Sequence, residues 1–382
     1  AHAVVPGLPD PPETDDEIGV VIRPSSLRWY PRGVQACHII GQTGEVTEDE
    51  QETLNVPEFE ADWLERLRRN YRDGDTIGKS GVEKLCETIL RGKRGFRRFR
   101  RAGVLDEEVA AQHGRDVHLT IDIDLQERLS ELIPEDSNGC VVVLSVPRGE
   151  VLAMVSTPMY DLNRYRRDYN ALAGDAVDLP LRHRAVQQRY PPGSTMKPLA
   201  AIAALGQGII DSRTSHFCYG SLFPGGRGPD CWYHSGHGAV TVQEAIMQSC
   251  NVFFYHVGED MGIATLGLWA REFGLADPPG TGLPEEVPGQ VPTDGTKGES
   301  RFLAIGQGPI AVTPLHVANL AATLAREGEF RSPMLALEGG APQVRRAIPA
   351  PPEAFRIARQ GMYDVANNPD SMTAYRYFHG PG

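Results

Sequence analysis

The stretch Tyr190-Pro191-Pro192-Gly193-Ser194-Thr195-Met196-Lys197 runs directly into an apolar segment from Pro198 to Leu205. A stiff Pro-Pro-Gly turn therefore delivers a hydroxyl to the start of a helix. Lys197 follows Ser194 by three residues, which one helical turn places on the same face. Leu199, Ala200, Ala201, Ile202, Ala203, Ala204 and Leu205 are apolar nearly all round, the pattern of a helix buried in a core. A serine needs a neighbouring base to become a nucleophile. A lysine stripped of water beside such a helix loses the solvation that favours its charge, so its pKa falls and it can take the serine proton. The helix start also offers backbone N–H groups and a positive dipole end where an oxyanion would form. The competing reading is a capped helix with a surface lysine, because Ser-x-x-Lys arises by chance about once or twice in a chain of this length. A second element has to decide between them.

The 382 residues suffice for two or three domains and a sizeable core. Apolar content is ordinary at 41%, as in soluble globular proteins, and 41 glycines with 30 prolines imply many turns and long loops. A net charge of −12 argues against general nucleic-acid binding, which needs a basic surface. No apolar run reaches the roughly 18 residues of a membrane span. The chain begins Ala1-His2-Ala3, without an initiator methionine or signal peptide, so an N-terminal segment is expected to precede it. The six cysteines lie far apart without Cys-x-x-Cys spacing, which argues against a zinc site. Cys218 and Cys231 share one Gly/Pro-rich loop. They suit either a disulfide in an oxidising compartment or two free buried thiols.

Residues 1–20 are rich in proline and acid. Val20-Val21-Ile22 and His38-Ile39-Ile40-Gly41 read as short strands around a turn at Tyr30-Pro31-Arg32-Gly33, and Phe59 to Tyr71 as a helix. Ser80, with Glu83 three residues on, reads as a capping box for an amphipathic helix from about Val82 to Leu90. The basic run Arg91, Lys93, Arg94, Arg97, Arg98, Arg100 and Arg101 would suit an anionic polymer or membrane surface. A solvated face contacting the protein's own acids is the better reading. Asp116 to Asp122 reads as a strand that closes a first domain at 1–135, with 136–382 as the second. Gly139–Val146 and Val151–Ser156, joined by Pro147-Arg148-Gly149-Glu150, form a hairpin in the centre of a sheet. The segments 157–189 and 206–238 read as loops. Thr241 and Glu244 make another capping box, and Pro314 starts a helix through about Arg326.

The second element is Ser249-Cys250-Asn251, on a tight link between a helix ending near Gln248 and an aromatic-rich helix opening at Val252-Phe253-Phe254-Tyr255. A hydroxyl there could relay a proton between Lys197 and a leaving amine. The asparagine amide carries both donors and an acceptor, suited to gripping a peptide backbone. Together the two motifs resemble those of the penicillin-binding proteins, closest to the class B enzymes of the elongation type. Supporting stretches are Asp122-Ile123-Asp124-Leu125-Gln126, Gly149 to Ser156, Gly236-His237-Gly238, and Gly306-Gln307-Gly308 with Thr313-Pro314. Gly78 to Glu83 and Leu90-Arg91-Gly92 are similar to the non-catalytic pedestal of that class, so the likeness covers nearly the whole chain.

The resemblance implies an α+β fold, a pedestal followed by a serine transpeptidase domain with helices around an antiparallel sheet. It implies an extracytoplasmic D,D-transpeptidase that cross-links peptidoglycan stem peptides, binds β-lactams and works with cell-wall synthesis proteins including a glycosyltransferase. The membrane would be reached only through a segment absent here. Ser194 would be the nucleophile, Lys197 the general base, Ser249 the proton relay and Asn251 the substrate-orienting amide, with no metal or cofactor required. A β-lactamase or β-lactam sensor would share Ser194 and Lys197; slow deacylation without penicillin turnover separates it. A non-catalytic scaffold docking partners through residues 1–135 is the other alternative. The family's third motif, Lys-Thr/Ser-Gly, does not follow Gly361-Met362-Tyr363-Asp364-Val365 before Gly382; Lys79-Ser80-Gly81 has the letters in the wrong place. The chain therefore reads as a fragment that should acylate weakly until downstream residues are restored. Cys250 is expected to be buried and inert.

Overall fold

Helix Lys197–Gly206 is sealed as its composition dictates: every residue from Lys197 to Ala204 is buried in this computed structural model. The structure describes residues 28–380 apart from 56, 58–62, 100–104 and 135, so the expected strand at Val20-Val21-Ile22 lies outside the described residues. Around this helix pack Asn251–Glu272, which carries the buried Phe253, Phe254, Val257 and Leu266, and Pro352–Asn367, which contributes Phe355 and Ala358. Helix Pro314–Ala325 opens at a Thr313 cap with Pro314 in its first turn, where a missing N–H costs nothing. Helices thus form the greater part of the core, with small antiparallel strand pairs around them, and the fold is α+β.

The apolar hairpin is present as Cys140–Leu144 paired with Val151–Ser156, turned through Gly149 at φ 74°. It stands as a two-stranded sheet among the described residues. The free edge of Val151–Ser156 is covered by chain from just before it. Asp122 N–H donates to Leu152 O at 2.9 Å, and the buried Gln126 side chain donates to Met154 O at 3.1 Å while accepting from Met154 N–H at 2.8 Å. One amide side chain replaces both ladder bonds that a further strand would have made. Helix Ile123–Leu132, capped by Asp122, holds Gln126 there.

Several local expectations are corrected. His38-Ile39-Ile40 is no strand but part of the helical turn Cys37–Ile40, because its side chains are needed on a buried inner face. The helix expected over Val82–Leu90 is broken at Cys86 into Gly81–Leu85 and Glu87–Leu90. Its capping box does not form: Ser80 Oγ bonds Gln42, Glu83 is buried against Arg28 and Tyr30, and Glu285 Oε1 accepts the Gly81 N–H at 2.8 Å. The segment 116–122 makes only a single bridge, Leu119 with Ala336, instead of a strand. The supposed loop 157–189 contains helix Tyr165–Gly174 and the turn Arg184–Gln187. The supposed loop 206–238 contains strand Ser215–Cys218, paired with Gly238–Thr241. Short polar elements carry little periodicity, and tertiary contacts decide them.

Four arginines of the basic run meet the protein's own acids. Arg97 pairs with Glu108, Arg98 with Asp106 and Glu107, and Arg91 and Arg94 with Asp75. The N-terminal and C-terminal halves share one apolar cluster, in which Ala36, Ile39, Val82 and Cys86 pack with Val151, Met154, Val186, Leu283, Leu315 and Leu335. Among the described residues no helix is long and apolar enough to cross a membrane.

Replacing Gln126 by leucine would leave the Met154 N–H and C=O buried and unpaired. Such orphans cost about 1–3 kcal/mol each, so stability should fall by about 2–6 kcal/mol, read as a lower urea midpoint at unchanged m-value. An unchanged midpoint would show that this edge is bonded some other way.

Candidate active site

Ser194 sits in the 3-10 turn Gly193–Met196, which leads without a break into helix Lys197–Gly206. Two contacts clamp this turn. Tyr190 and Val312 exchange backbone hydrogen bonds at 2.8 and 2.9 Å, and the Gly193 N–H donates to Gly306 O at 2.8 Å. The second approach requires glycine: a Cβ at Gly306, where φ is 70°, would stand 2.1 Å from Gly193 O. The Gly306-Gln307-Gly308 stretch is thus a seat for the serine turn.

The other half of the site is the link between helices Val242–Met247 and Asn251–Glu272. The first helix is started by Glu244 accepting the Thr241 N–H at 2.8 Å, as its capping box implies. Ser249 takes a left-handed conformation, φ 49°, uncommon for a residue with a Cβ. That sharp turn aims its hydroxyl and its carbonyl at the same side chain. Lys197 Nζ donates to Ser249 O at 2.7 Å, Ser249 Oγ at 2.9 Å and Asn251 Oδ1 at 2.7 Å. Ser249 Oγ in turn donates to Ser194 Oγ at 3.0 Å. The four residues singled out from the sequence therefore meet, and the order is Ser194, Ser249, Lys197, with the second serine as bridge.

Lys197 is 1% exposed. Burial disfavours its ammonium and pulls its pKa down to about 8, against the opposing pull of the Cys231 and Cys250 sulfurs. Its partners fix what a neutral amine can do. Ser249 O and Asn251 Oδ1 can only accept, so they retain the two N–H bonds and the lone pair is left for the Ser249 hydroxyl. A proton can then pass from Ser194 Oγ through Ser249 Oγ to Nζ without any side chain moving far.

The site opens into a cleft of about 500 Å³ lined by Ser194, Ser249, Asn251, Trp232, Gln307 and Tyr377 among others. A second groove of similar size, between helices Pro314–Ala325 and Pro352–Asn367, contains none of these groups. Trp232, Gln307 and Tyr377 were not legible as site residues, because each reaches the cleft from a loop or chain end without a spacing rule.

The cysteines gather more closely than their spacing in the sequence suggests. Cys218 and Cys231 are close and are free buried thiols, one of the two states their shared loop allowed. Cys250 is buried, as expected, and its sulfur faces these two. The Sγ atoms of Cys218, Cys231 and Cys250 and a ring nitrogen of His237 all lie within 4.8 Å of one another. His237 Nδ1 is 3.6 Å from Cys231 Sγ. Of the thiols, Cys231 is the one held toward the thiolate, chiefly by the Cys250 S–H and then by His237. Zinc–sulfur bonds of about 2.3 Å put tetrahedral donors about 3.7 Å apart, so a three-cysteine, one-histidine set of this size fits Zn²⁺. Absent Cys-x-x-Cys spacing does not exclude such a set, because strand Ser215–Cys218, the 231–237 loop and the Ser249 turn bring the donors from separate segments. A metal held there would tie that loop to Ser249 and Asn251. Purified protein should contain about one zinc per chain by elemental analysis. Cys231→Ser should release it, and cobalt replacement should give tetrahedral absorption bands. Metal-free protein whose three thiols react quickly with a disulfide reagent would refute the assignment.

Comparison with known proteins agrees with this architecture. Residues 139–380 match the penicillin binding protein transpeptidase domain and residues 13–119 the penicillin-binding protein dimerisation domain. The peptidoglycan D,D-transpeptidase MrdA of Escherichia coli K12 is 34% identical over 393 residues, covering 94% of this chain and 60% of the relative. The protein of the same description from Haemophilus influenzae is 35% identical, covering 91% and 56%. The chain thus spans about three-fifths of the length of these relatives. Among solved structures, Helicobacter pylori PBP2 in complex with MreC superposes with a TM-score of 0.79 at 26% identity, covering 91% of this chain and 66% of that one. Pseudomonas aeruginosa PBP2 in complex with WCK 5153 superposes with a TM-score of 0.75 at 28% identity, covering 92% and 77%. With the transpeptidase model spanning well over half of its length and the serine, lysine and asparagine motifs brought to one cleft, the chain belongs to the penicillin-binding protein transpeptidase family.

Proposed function

We propose that the protein carrying this chain is a serine D,D-transpeptidase of peptidoglycan synthesis, acylated at Ser194 by stem peptides and by β-lactams. The observation that supports this best is the hydroxyl chain from Ser194 through Ser249 to a buried Lys197 whose pKa is near 8. In this reading Lys197, as the neutral amine, draws the Ser194 proton through Ser249. Ser194 Oγ attacks the carbonyl carbon of the penultimate D-alanine, and the C–N bond to the terminal D-alanine breaks. The proton returns to that nitrogen by the same route and D-alanine leaves. An amine from a second stem peptide then displaces the ester and restores Ser194. Asn251 holds Lys197 through Oδ1 and has its Nδ2 within 3.4 Å of Asp230 O, so gripping substrate would ask it to turn that amide.

The relatives' partners suggest the setting. A PBP2 has been solved with MreC, and another neighbour is described as a peptidoglycan synthase complex coordinating polymerization and crosslinking. We place this protein on the outer side of the cytoplasmic membrane, with residues 1–135 as a pedestal for such cell-wall synthesis proteins, a glycosyltransferase included.

A fluorescent penicillin should label the intact protein at one site, and Ser194→Ala should abolish the label. Lys197→Ala should slow acylation by about 10²–10⁴. Below its pKa Lys197 is charged and has no lone pair. The acylation rate should therefore rise about tenfold per pH unit up to about 8 and level off above it. A label that survives Ser194→Ala, or a rate that falls with rising pH, would sink the mechanism. Rapid penicillin turnover would instead make the protein a β-lactamase.

A further inference from the structure

We infer that Trp232 is a positioning residue for the proton relay, acting through the Ser249 carbonyl. The inference rests on the acyl-transfer reading of Ser194. The indole Nε1–H of Trp232 is shared between Gln248 O at 3.0 Å and Ser249 O at 3.1 Å, the two carbonyls on either side of the turn that gives Ser249 its left-handed conformation. Ser249 O is the same oxygen that takes a proton of Lys197 at 2.7 Å. A carbonyl oxygen has two lone pairs, and here both are engaged, one by each residue.

That arrangement bears on the relay in a specific way. A neutral lysine directs its lone pair at Ser249 Oγ only while its two N–H bonds are held elsewhere, by Ser249 O and Asn251 Oδ1. The asparagine acceptor is fixed by its place at the first turn of helix Asn251–Glu272. The carbonyl acceptor belongs to a strained residue on the three-residue link 248–250, and the indole N–H is the second donor that holds it. The chain preceding the indole binds the same link: the Asn251 N–H points at Cys231 Sγ at 3.4 Å, and Asp230 O accepts from Tyr255 Oη at 3.2 Å. Segment 230–232 is thus a splint along the Ser249 turn. Trp232 also walls the cleft with its ring, which lies against His237 with centroids 5.6 Å apart. Wall and splint are separable, because the ring meets the cleft and the N–H meets the turn.

The test measures acylation of the intact protein by a fluorescent penicillin as a function of its concentration, which separates the first-order acylation constant from the half-saturating concentration. Wild type that does not acylate at Ser194 would defeat the underlying reading, not this inference alone. In Trp232→Phe, which keeps a ring and deletes the donor, the first-order constant should fall about five- to tenfold, the effect of one lost hydrogen bond. The half-saturating concentration should stay within about twofold. Trp232→Leu, which removes the wall as well, should additionally raise that concentration. Placing benzothienylalanine at position 232 swaps the N–H for sulfur in a ring of nearly the same shape. It must show the same split as Trp232→Phe, and it stands in should the phenylalanine variant fail to fold. A first-order constant equal to that of wild type in the benzothienyl protein overturns the inference. So does a loss confined to the half-saturating concentration, because a wall alone would explain it.

Discussion

An amine with three oxygen partners at the start of an apolar helix is the constraint on which this structure turns. Lys197 is sealed beneath the cleft, where an unpaired ammonium would be costly. Its hydrogen bonds to Ser249 O, Ser249 Oγ and Asn251 Oδ1 replace the water it has lost. The same bonds hold two chain segments, more than fifty positions apart in sequence, in one geometry. Burial weakens the amine's hold on its proton, and its partners decide the direction of the lone pair of the neutral form. Stability and chemistry are therefore set by one group of contacts.

Everything around that group serves to keep it in place. The serine turn is seated on Gly306, and only the absence of a side chain there allows the Gly193 N–H to reach the carbonyl. The Ser249 turn is held by the helix before it, the helix after it and segment 230–232 along its side. Behind that segment the Cys218, Cys231, His237 and Cys250 donors converge on one point. A metal there would join the two elements that carry Trp232 and Asn251. A set of contacts this connected tolerates a strained Ser249, since the neighbours over-determine its conformation.

The two halves of the chain are joined by apolar and polar contacts of different kinds. A shared apolar cluster carries Ile39 and Val82 against Leu315 and Leu335, and the Glu285 carboxylate crosses the same boundary to cap Gly81. Burial raises the pKa of Glu285, so this tie is made by an acid whose charge is disfavoured where it sits. Arg97 and Arg98 of the basic run, by contrast, are matched within their own hairpin, and Arg91 and Arg94 to Asp75. These four arginines of the basic run are thus paired with the protein's own acids, in line with the overall acidic balance of the chain.

How much of this was legible beforehand follows from what each feature depends on. Helix Lys197–Gly206, the Ser194–Lys197 spacing, the Thr241 and Pro314 helix starts and the apolar hairpin are local, so composition and short-range geometry determined them. The Ser249–Asn251 link was legible as a turn bearing a hydroxyl and an amide, and its likeness to a family motif attached it to Lys197. Only the tertiary structure decided that Ser249 stands between Ser194 and Lys197, because that depends on a left-handed residue and on helices packing at one angle. It also decided that four donors in separate segments share a centre, that Glu83 leaves its capping position to pair with Arg28, and that Gln126 stands in for a strand. In each of these the partner is remote in sequence, and a side chain with several possible bonds takes the one that burial makes costly to leave unmade.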